Sequence, residues 1–192
     1  MVRLLLIVLS ATPITTALVL FYHIKRNGFN IGGRIPIAAY IFYTSKATVT
    51  ILFLALFTCS IYPDILLFIP IRLQDKVPLV QQFMSIPFLI GGNLLFISGC
   101  VSLGIFTRIG IPETTHFLQT SNVYQISRNP IYTGLIFFYT ACFILLPSLI
   151  TGALIIYCIV THHLIIKKEE KYLTETFKEE YLNYKKQVAR YL

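Results

Sequence analysis

Five long apolar stretches dominate the hydrophobic pattern, at residues 2–22, 36–62, 80–106, 131–146 and 149–166, each set off by a short polar connection. Each of the first three holds about 20 residues or more, enough for a helix to cross a bilayer. Residues 131–166 form one run with Pro147 and Ser148 at its middle. As a single straight helix it would extend about 54 Å, well beyond a hydrocarbon core of about 30 Å. It therefore reads as a tight hairpin of two spans, whose helices must be antiparallel neighbours. Residues 65–71, between Pro63 and Pro70, are too short to cross and read as an interfacial segment. In the tail, residues 167–192, Leu173, Phe177, Tyr181 and Tyr184 recur at steps of three and four with charges between, the pattern of a surface helix. The prediction is one all-α domain over residues 1–192: a polytopic membrane bundle of about five transmembrane helices, with a helical hairpin and a cytosolic C-terminal helix.

Two local features refine the spans. Arg3 precedes the first apolar run in the manner of a signal peptide, but no small-x-small cleavage pattern follows. The segment is read as an anchor helix, kinked at Pro13. The third stretch carries Gly91, Gly92, Ser98, Gly99 and Gly104, small residues that let helices approach closely, so it is placed at the centre of the bundle.

Composition agrees with a membrane protein. Hydrophobic residues make up 56% of the chain, mean hydropathy is +0.73 and charged residues fall to 12%, about half the usual share. No soluble catalytic domain fits beside five spans, so any chemistry must be built from helix ends and loops. The net charge of +8 does not mark a nucleic-acid binder, because the basic residues flank apolar segments instead of lining a soluble module. Three lie at Lys25, Arg26 and Arg34, two at Arg108 and Arg128, and seven in the tail, against Arg3, Arg72 and Lys76 on the other side. The positive-inside rule then places the N terminus outside and the tail cytosolic. Cys59, Cys100, Cys142 and Cys158 sit inside apolar segments without metal-ligand spacing and read as packing residues.

Candidate chemistry flanks the hairpin. Asn129-Pro130-Ile131-Tyr132 starts a helix with proline in its first turn, where a missing N–H is no loss and free N–H groups can receive an anion. Arg128 adds a charge there, or caps the helix at the headgroups. Glu169 and Glu170 stand where the last span leaves the membrane, able to bind an ammonium or ribose hydroxyls, or to balance Lys167, Lys168 and Arg128. His162 shares a face with Glu169, and His163 with Glu170, at i, i+7; the pair suits either packing or proton transfer. Lys46 lies inside the second span and either snorkels or lines a polar pocket. Residues 107–130 form the longest polar connection, which marks them as functional.

These residues resemble the isoprenylcysteine carboxyl methyltransferase family, with its many bacterial members and the related phospholipid methyltransferases. The likeness rests on Leu118-Gln119-Thr120-Ser121-Asn122-Val123-Tyr124, on residues 127–134 as an Arg-Asn-Pro-x-Tyr-x-Gly form, and on the ending Glu169-Glu170-x-Tyr-Leu with Phe177, Tyr181, Tyr184, Val188 and Arg190. It covers the chain from about residue 116. The resemblance implies S-adenosylmethionine bound in a cytosolic pocket, and an acceptor arriving sideways from the bilayer: an isoprenylcysteine-like carboxylate, a phospholipid amine or another apolar small molecule. It implies that His116, Phe117, Leu118, Gln119 and Tyr124 line the cofactor pocket, that Asn129, Pro130, Ile131 and Tyr132 surround the donor, and that Glu169 is the acidic contact. Arg128 and His162 are the catalytic candidates. The sequence departs from the carboxyl methyltransferases at Asn129, where they carry histidine, and at Ile165, where they carry an arginine that holds the acceptor carboxylate. Two other readings stay open: an NADPH-dependent sterol-reductase-like enzyme, which shares an Arg-x-Pro-x-Tyr-x-Gly pattern, and a non-enzymatic membrane assembly subunit.

Overall fold

The computed structural model describes residues 1–111 and 117–192. Five helices follow in order: α1 (Val2–Arg26), α2 (Ala39–Ile61), α3 (Leu79–Leu103), α4 (Pro130–Leu145) and α5 (Leu149–Gln187). Short 3-10 turns occupy Pro63–Phe68, Gly104–Phe106 and Asn122–Gln125. The first of these holds most of the segment expected at the interface.

α1, α2, α3 and α5 are long and apolar enough to cross a membrane, whereas α4 has 16 residues, about 24 Å of helix. The hairpin forms at the predicted place. Leu145 ends α4, and Ser148 caps α5 by accepting a hydrogen bond from the Thr151 backbone N–H at 2.9 Å, which satisfies one of the otherwise unpaired donors of the first turn. The tail differs from expectation. Instead of starting a separate helix after residue 166, α5 runs on past it to a break at Lys178, and a last helical stretch follows to Gln187. Lysine and glutamate, which make up most of residues 167–180, are good helix formers, so the ladder propagates past the apolar part. The change of direction comes later, at Lys178, with φ of 46° and ψ of −118°.

α3 and α4 form the most extensive helix pair, and glycine is what lets them meet. A Cβ on Gly134 would lie 2.9 Å from the Gly92 carbonyl oxygen, and one on Gly92 3.1 Å from that of Gly134. Gly99 faces Ile131 in the same way, so the small residues of the third stretch do mark the central seam. Below it, Phe138 sits edge-on to Phe53 of α2 at 5.1 Å and to Phe96 of α3 at 6.3 Å. Asn93 of α3 donates to the Leu9 carbonyl of α1 at 2.9 Å.

The connections sort to two ends of the bundle. At one, Leu73 N–H donates to Pro147 O at 2.9 Å and Leu149 N–H to Ile71 O at 3.1 Å, joining the α2–α3 connection to the hairpin turn. At the other, Arg34 and Ile111 exchange backbone hydrogen bonds of 2.7 and 3.0 Å, and Arg128 N–H donates to Ala189 O at 2.9 Å. The first loop, the stretch before α4 and the C-terminal residues thus gather at one end, which carries most of the basic residues.

Candidate active site

At that end the start of α4 is tied to the last residues of the chain. Arg128 donates from Nη2 to Glu170 Oε1 at 2.8 Å and from Nη1 to the carbonyls of Lys185 and Val188 at 3.0 Å each. The latter are acceptors at the C-terminal end of α5, where a cation is favoured. Arg190 meets both oxygens of Glu170, from Nε at 3.0 Å and from Nη2 at 2.7 Å. Ser127 Oγ and Asn129 Nδ2 donate to the Arg190 carbonyl at 3.3 and 3.2 Å, and Tyr184 OH donates to the Tyr124 carbonyl at 2.6 Å. Burial alone would raise the Glu170 carboxyl, but hydrogen bonds from Arg190 and Arg128 outweigh it and hold the group below the usual carboxylate range. The hydrogen bond to Glu170 in turn raises Arg190. Glu170 is therefore an ionised pivot between two arginines, and the C-terminal residues form a strap across the first turn of α4.

One residue earlier on α5, Glu169 faces the other way. Tyr132 OH donates to Glu169 Oε1 at 3.1 Å. The Tyr132 ring lies 5.3 Å from His162, whose Nδ1 is 3.3 Å from Tyr139 OH and whose Nε2 is buried without a hydrogen-bond partner among the described residues. Glu169 sits just beyond the apolar part of α5. Burial pushes its carboxyl up to about 7, against the opposing pull of the Tyr132 hydrogen bond and of the nearby Lys46 charge.

These groups wall a cavity of about 570 Å³, well inside the range of about 300–1,000 Å³ usual for small-molecule and cofactor sites. It has two parts. The polar part is bounded by Gln119, Tyr124, Asn129, Tyr132 and Glu169. The apolar part runs between α1 and α2 past Pro13, Ile14, Val49 and Phe53 to Leu18 and Leu54, which are 64% and 52% exposed on the outer face. That face belongs to two helices long and apolar enough to cross a membrane.

Of the residues predicted from the sequence, Phe117, Leu118, Gln119, Tyr124, Arg128, Asn129, Ile131, Tyr132, His162 and Glu169 all line this cavity. Pro130 does not. It is fully buried beneath α3 at Gly99 and serves as the first residue of α4. His116 lies outside the described residues. Arg128 reaches the wall with its guanidinium already engaged by Glu170 and two carbonyls. Lys46 lines the cavity as one of its two sequence readings had it. The pairing of Glu170 with Arg190 was not foreseen, although both stand in the tail pattern that prompted the resemblance. Nor was the wall supplied by α1, whose lining residues, Pro13, Ile14, Ala17, Leu18, Leu20 and Phe21, are all apolar.

Comparison with protein families matches the phospholipid methyltransferase family over residues 80–180. That range takes in α3, α4 and most of α5 and leaves α1 and α2 outside. Comparisons with curated proteins and with solved structures each found no match.

Proposed function

The chain belongs to the phospholipid methyltransferase family of membrane methyltransferases, and from that premise we propose that it transfers a methyl group from S-adenosylmethionine to a lipophilic acceptor drawn from the bilayer. The observation that carries this reading is a single cavity joining a polar pocket at Tyr132 and Glu169 to an apolar arm that ends among lipid-facing side chains.

The polar part suits a nucleoside joined to an amino acid. Glu169 offers a carboxylate for the donor's ammonium, Gln119 and Asn129 offer amides for its polar edges, and Tyr124 and Phe117 offer aromatic surface. The donor supplies an electrophilic methyl on a sulfonium. The chain's contribution is placement. Tyr132 fixes one oxygen of Glu169, the strap anchored on Glu170 holds the start of α4 against α5, and the apolar walls exclude water. Holding two reactants in line can remove about 7–11 kcal/mol from a barrier. With twelve basic residues at the site end against three at the other, the pocket faces the cytosol and the N terminus lies outside.

Titration calorimetry on the purified full chain tests this reading, with S-adenosylhomocysteine and NADPH as separate ligands. Saturable binding of S-adenosylhomocysteine at one site per chain is expected. Binding of NADPH with none of S-adenosylhomocysteine would overturn it.

A further inference from the structure

His162 is 4% exposed, yet it lines the cavity. The Tyr132 and Tyr139 rings lie against its imidazole with centroids 5.3 and 6.1 Å away, and its Nδ1 is 3.3 Å from the Tyr139 hydroxyl. Among the described residues its other nitrogen, Nε2, meets no hydrogen-bond partner. A buried polar atom left without a partner is costly, and on the wall of a cavity it marks where a ligand atom belongs. The charges around it are mostly offset. Lys46 lies 6.0 Å from the Tyr132 ring centroid and its charge is felt by Glu169, and Arg128 is held by Glu170. Arg108 also lines the cavity, with Nη1 donating to the carbonyls of Ile105 and Thr107.

We propose, resting on the methyltransferase reading above, that His162 is the catalytic proton acceptor of this site and that the methyl acceptor is a phenol carrying an apolar chain. When Nδ1–H donates to the Tyr139 hydroxyl, Nε2 presents a lone pair to the cavity. A hydroxyl proton satisfies that lone pair, and a carboxylate does not. An ammonium head also offers a proton, but it adds a charge to a chamber that holds the donor's sulfonium, Lys46 and Arg108 against Glu169. A neutral hydroxyl adds none. Among hydroxyls, a phenol, with a pKa of about 10, is the one acidic enough to hand its proton to an imidazole during transfer. Phe53, Phe96, Phe106 and Phe117 line the cavity and offer the offset and edge-on contacts that an aromatic ring prefers. The chain would then follow Val49 and Leu54 along α2.

The step balances with His162 as its base. A lone pair of the phenolic oxygen forms the new bond to the methyl carbon as the carbon–sulfur bond breaks and its electron pair stays on sulfur. The O–H bond breaks with its electrons left on oxygen, and Nε2 takes the proton. The products are a neutral aryl methyl ether, a neutral thioether and an imidazolium, which returns its proton to water as the products leave. One positive charge is lost from sulfur and one is gained by His162, so the charge of the chamber does not change during the reaction. In surroundings poor in water, that spares the cost of creating or separating charge.

The test places the full chain in phosphatidylcholine nanodiscs with S-adenosylmethionine carrying a labelled methyl group, and offers para-dodecylphenol, palmitic acid and dipalmitoyl phosphatidylethanolamine separately. Label is expected in the phenol, as a methyl ether that withstands mild alkali and is released as methyl iodide by hot hydriodic acid, at least about tenfold above either other acceptor. His162→Gln should cut that ether label about a hundredfold or more, while the Kd for S-adenosylhomocysteine moves less than about twofold. Added imidazole should restore part of the ether label to His162→Ala, which a packing role would not allow. Label favouring palmitic acid or phosphatidylethanolamine, none in any of the three, undiminished ether label from His162→Gln, or no rescue by imidazole would overturn the proposal and leave the methyltransferase reading standing. Failure of the unaltered chain to bind S-adenosylhomocysteine would sink that reading itself.

Discussion

The two walls of the cavity are built on opposite principles. The wall from α4 and α5 is polar and internally cross-linked: Arg128, Glu170 and Arg190 form a closed charge cluster, and Tyr132 and Glu169 meet by hydrogen bond. The wall from α1 and α2 is apolar, built on helices long and apolar enough to cross a membrane, and carries one cation, Lys46, whose charge Glu169 feels across the cavity. A charged ligand with many fixed hydrogen-bonding groups needs a preorganised partner, and the first wall is one. A lipid tail needs only apolar surface and an open side, and the second provides that. The family match covers the polar wall up to residue 180 and leaves the wall from α1 and α2 outside.

The contrast breaks most violently at its anchor. Replacing Glu170 by Gln leaves Arg128 buried without a counter-charge, and breaking a buried pair in this way costs about 3–5 kcal/mol. Thermal unfolding of the detergent-solubilised protein should show the largest loss of midpoint of any single change discussed, with the strap released. Gly134→Val attacks the helix seam that holds the polar wall upright. The added atoms meet the Gly92 backbone, which cannot rotate away, and overpacking of that kind costs about 1–3 kcal/mol by the same measurement.

Smaller changes sharpen the contrast without unfolding anything. Glu169→Gln should weaken S-adenosylhomocysteine binding at least about tenfold, or about 1.4 kcal/mol, with the unfolding midpoint near that of the unaltered chain. Because burial raises Glu169 to about 7, its charged form prevails above that pH and disappears below it. Affinity for a ligand ammonium should therefore be highest on the alkaline side of 7 and fall as pH drops through it. The Glu169→Gln variant should show a flat profile over the same window. Tyr132→Phe removes only the hydrogen bond that steers Glu169, worth about 0.5–1.5 kcal/mol, so its effect on the same Kd should be the smallest.

Much of this was readable before any coordinates. Periodicity and length gave the five helices, four of them long and apolar enough to cross a membrane, Pro147-Ser148 gave the hairpin, and the clustering of Gly91, Gly92 and Gly99 gave the central seam, because each is a local signal with one physical meaning. The polar wall was legible because its residues recur in a family pattern. What the pattern could not distinguish was the division of labour between Glu169 and Glu170. Both border the cavity, but the carboxylate of Glu170 is taken up by two arginines and that of Glu169 is not, a difference of about 100° around a helix that depends on where Arg190 returns. The α1 wall was hidden for a different reason. Pro13, Ile14 and Leu18 would read the same whether they faced lipid, a neighbouring helix or a bound tail. The length of α5 was missed because a change of composition at Lys167 was taken for a change of structure.

The central claim is that one chamber divides its work between these walls, with the donor on α4 and α5 and the acceptor's apolar part along α1 and α2. The most direct measurement is the Kd of S-adenosylhomocysteine for Glu169→Gln and Lys46→Met side by side, in the same detergent at pH 8. The account expects a loss of about tenfold or more for the first and a change under about twofold for the second. Equal losses for both, or a loss confined to Lys46→Met, would contradict it.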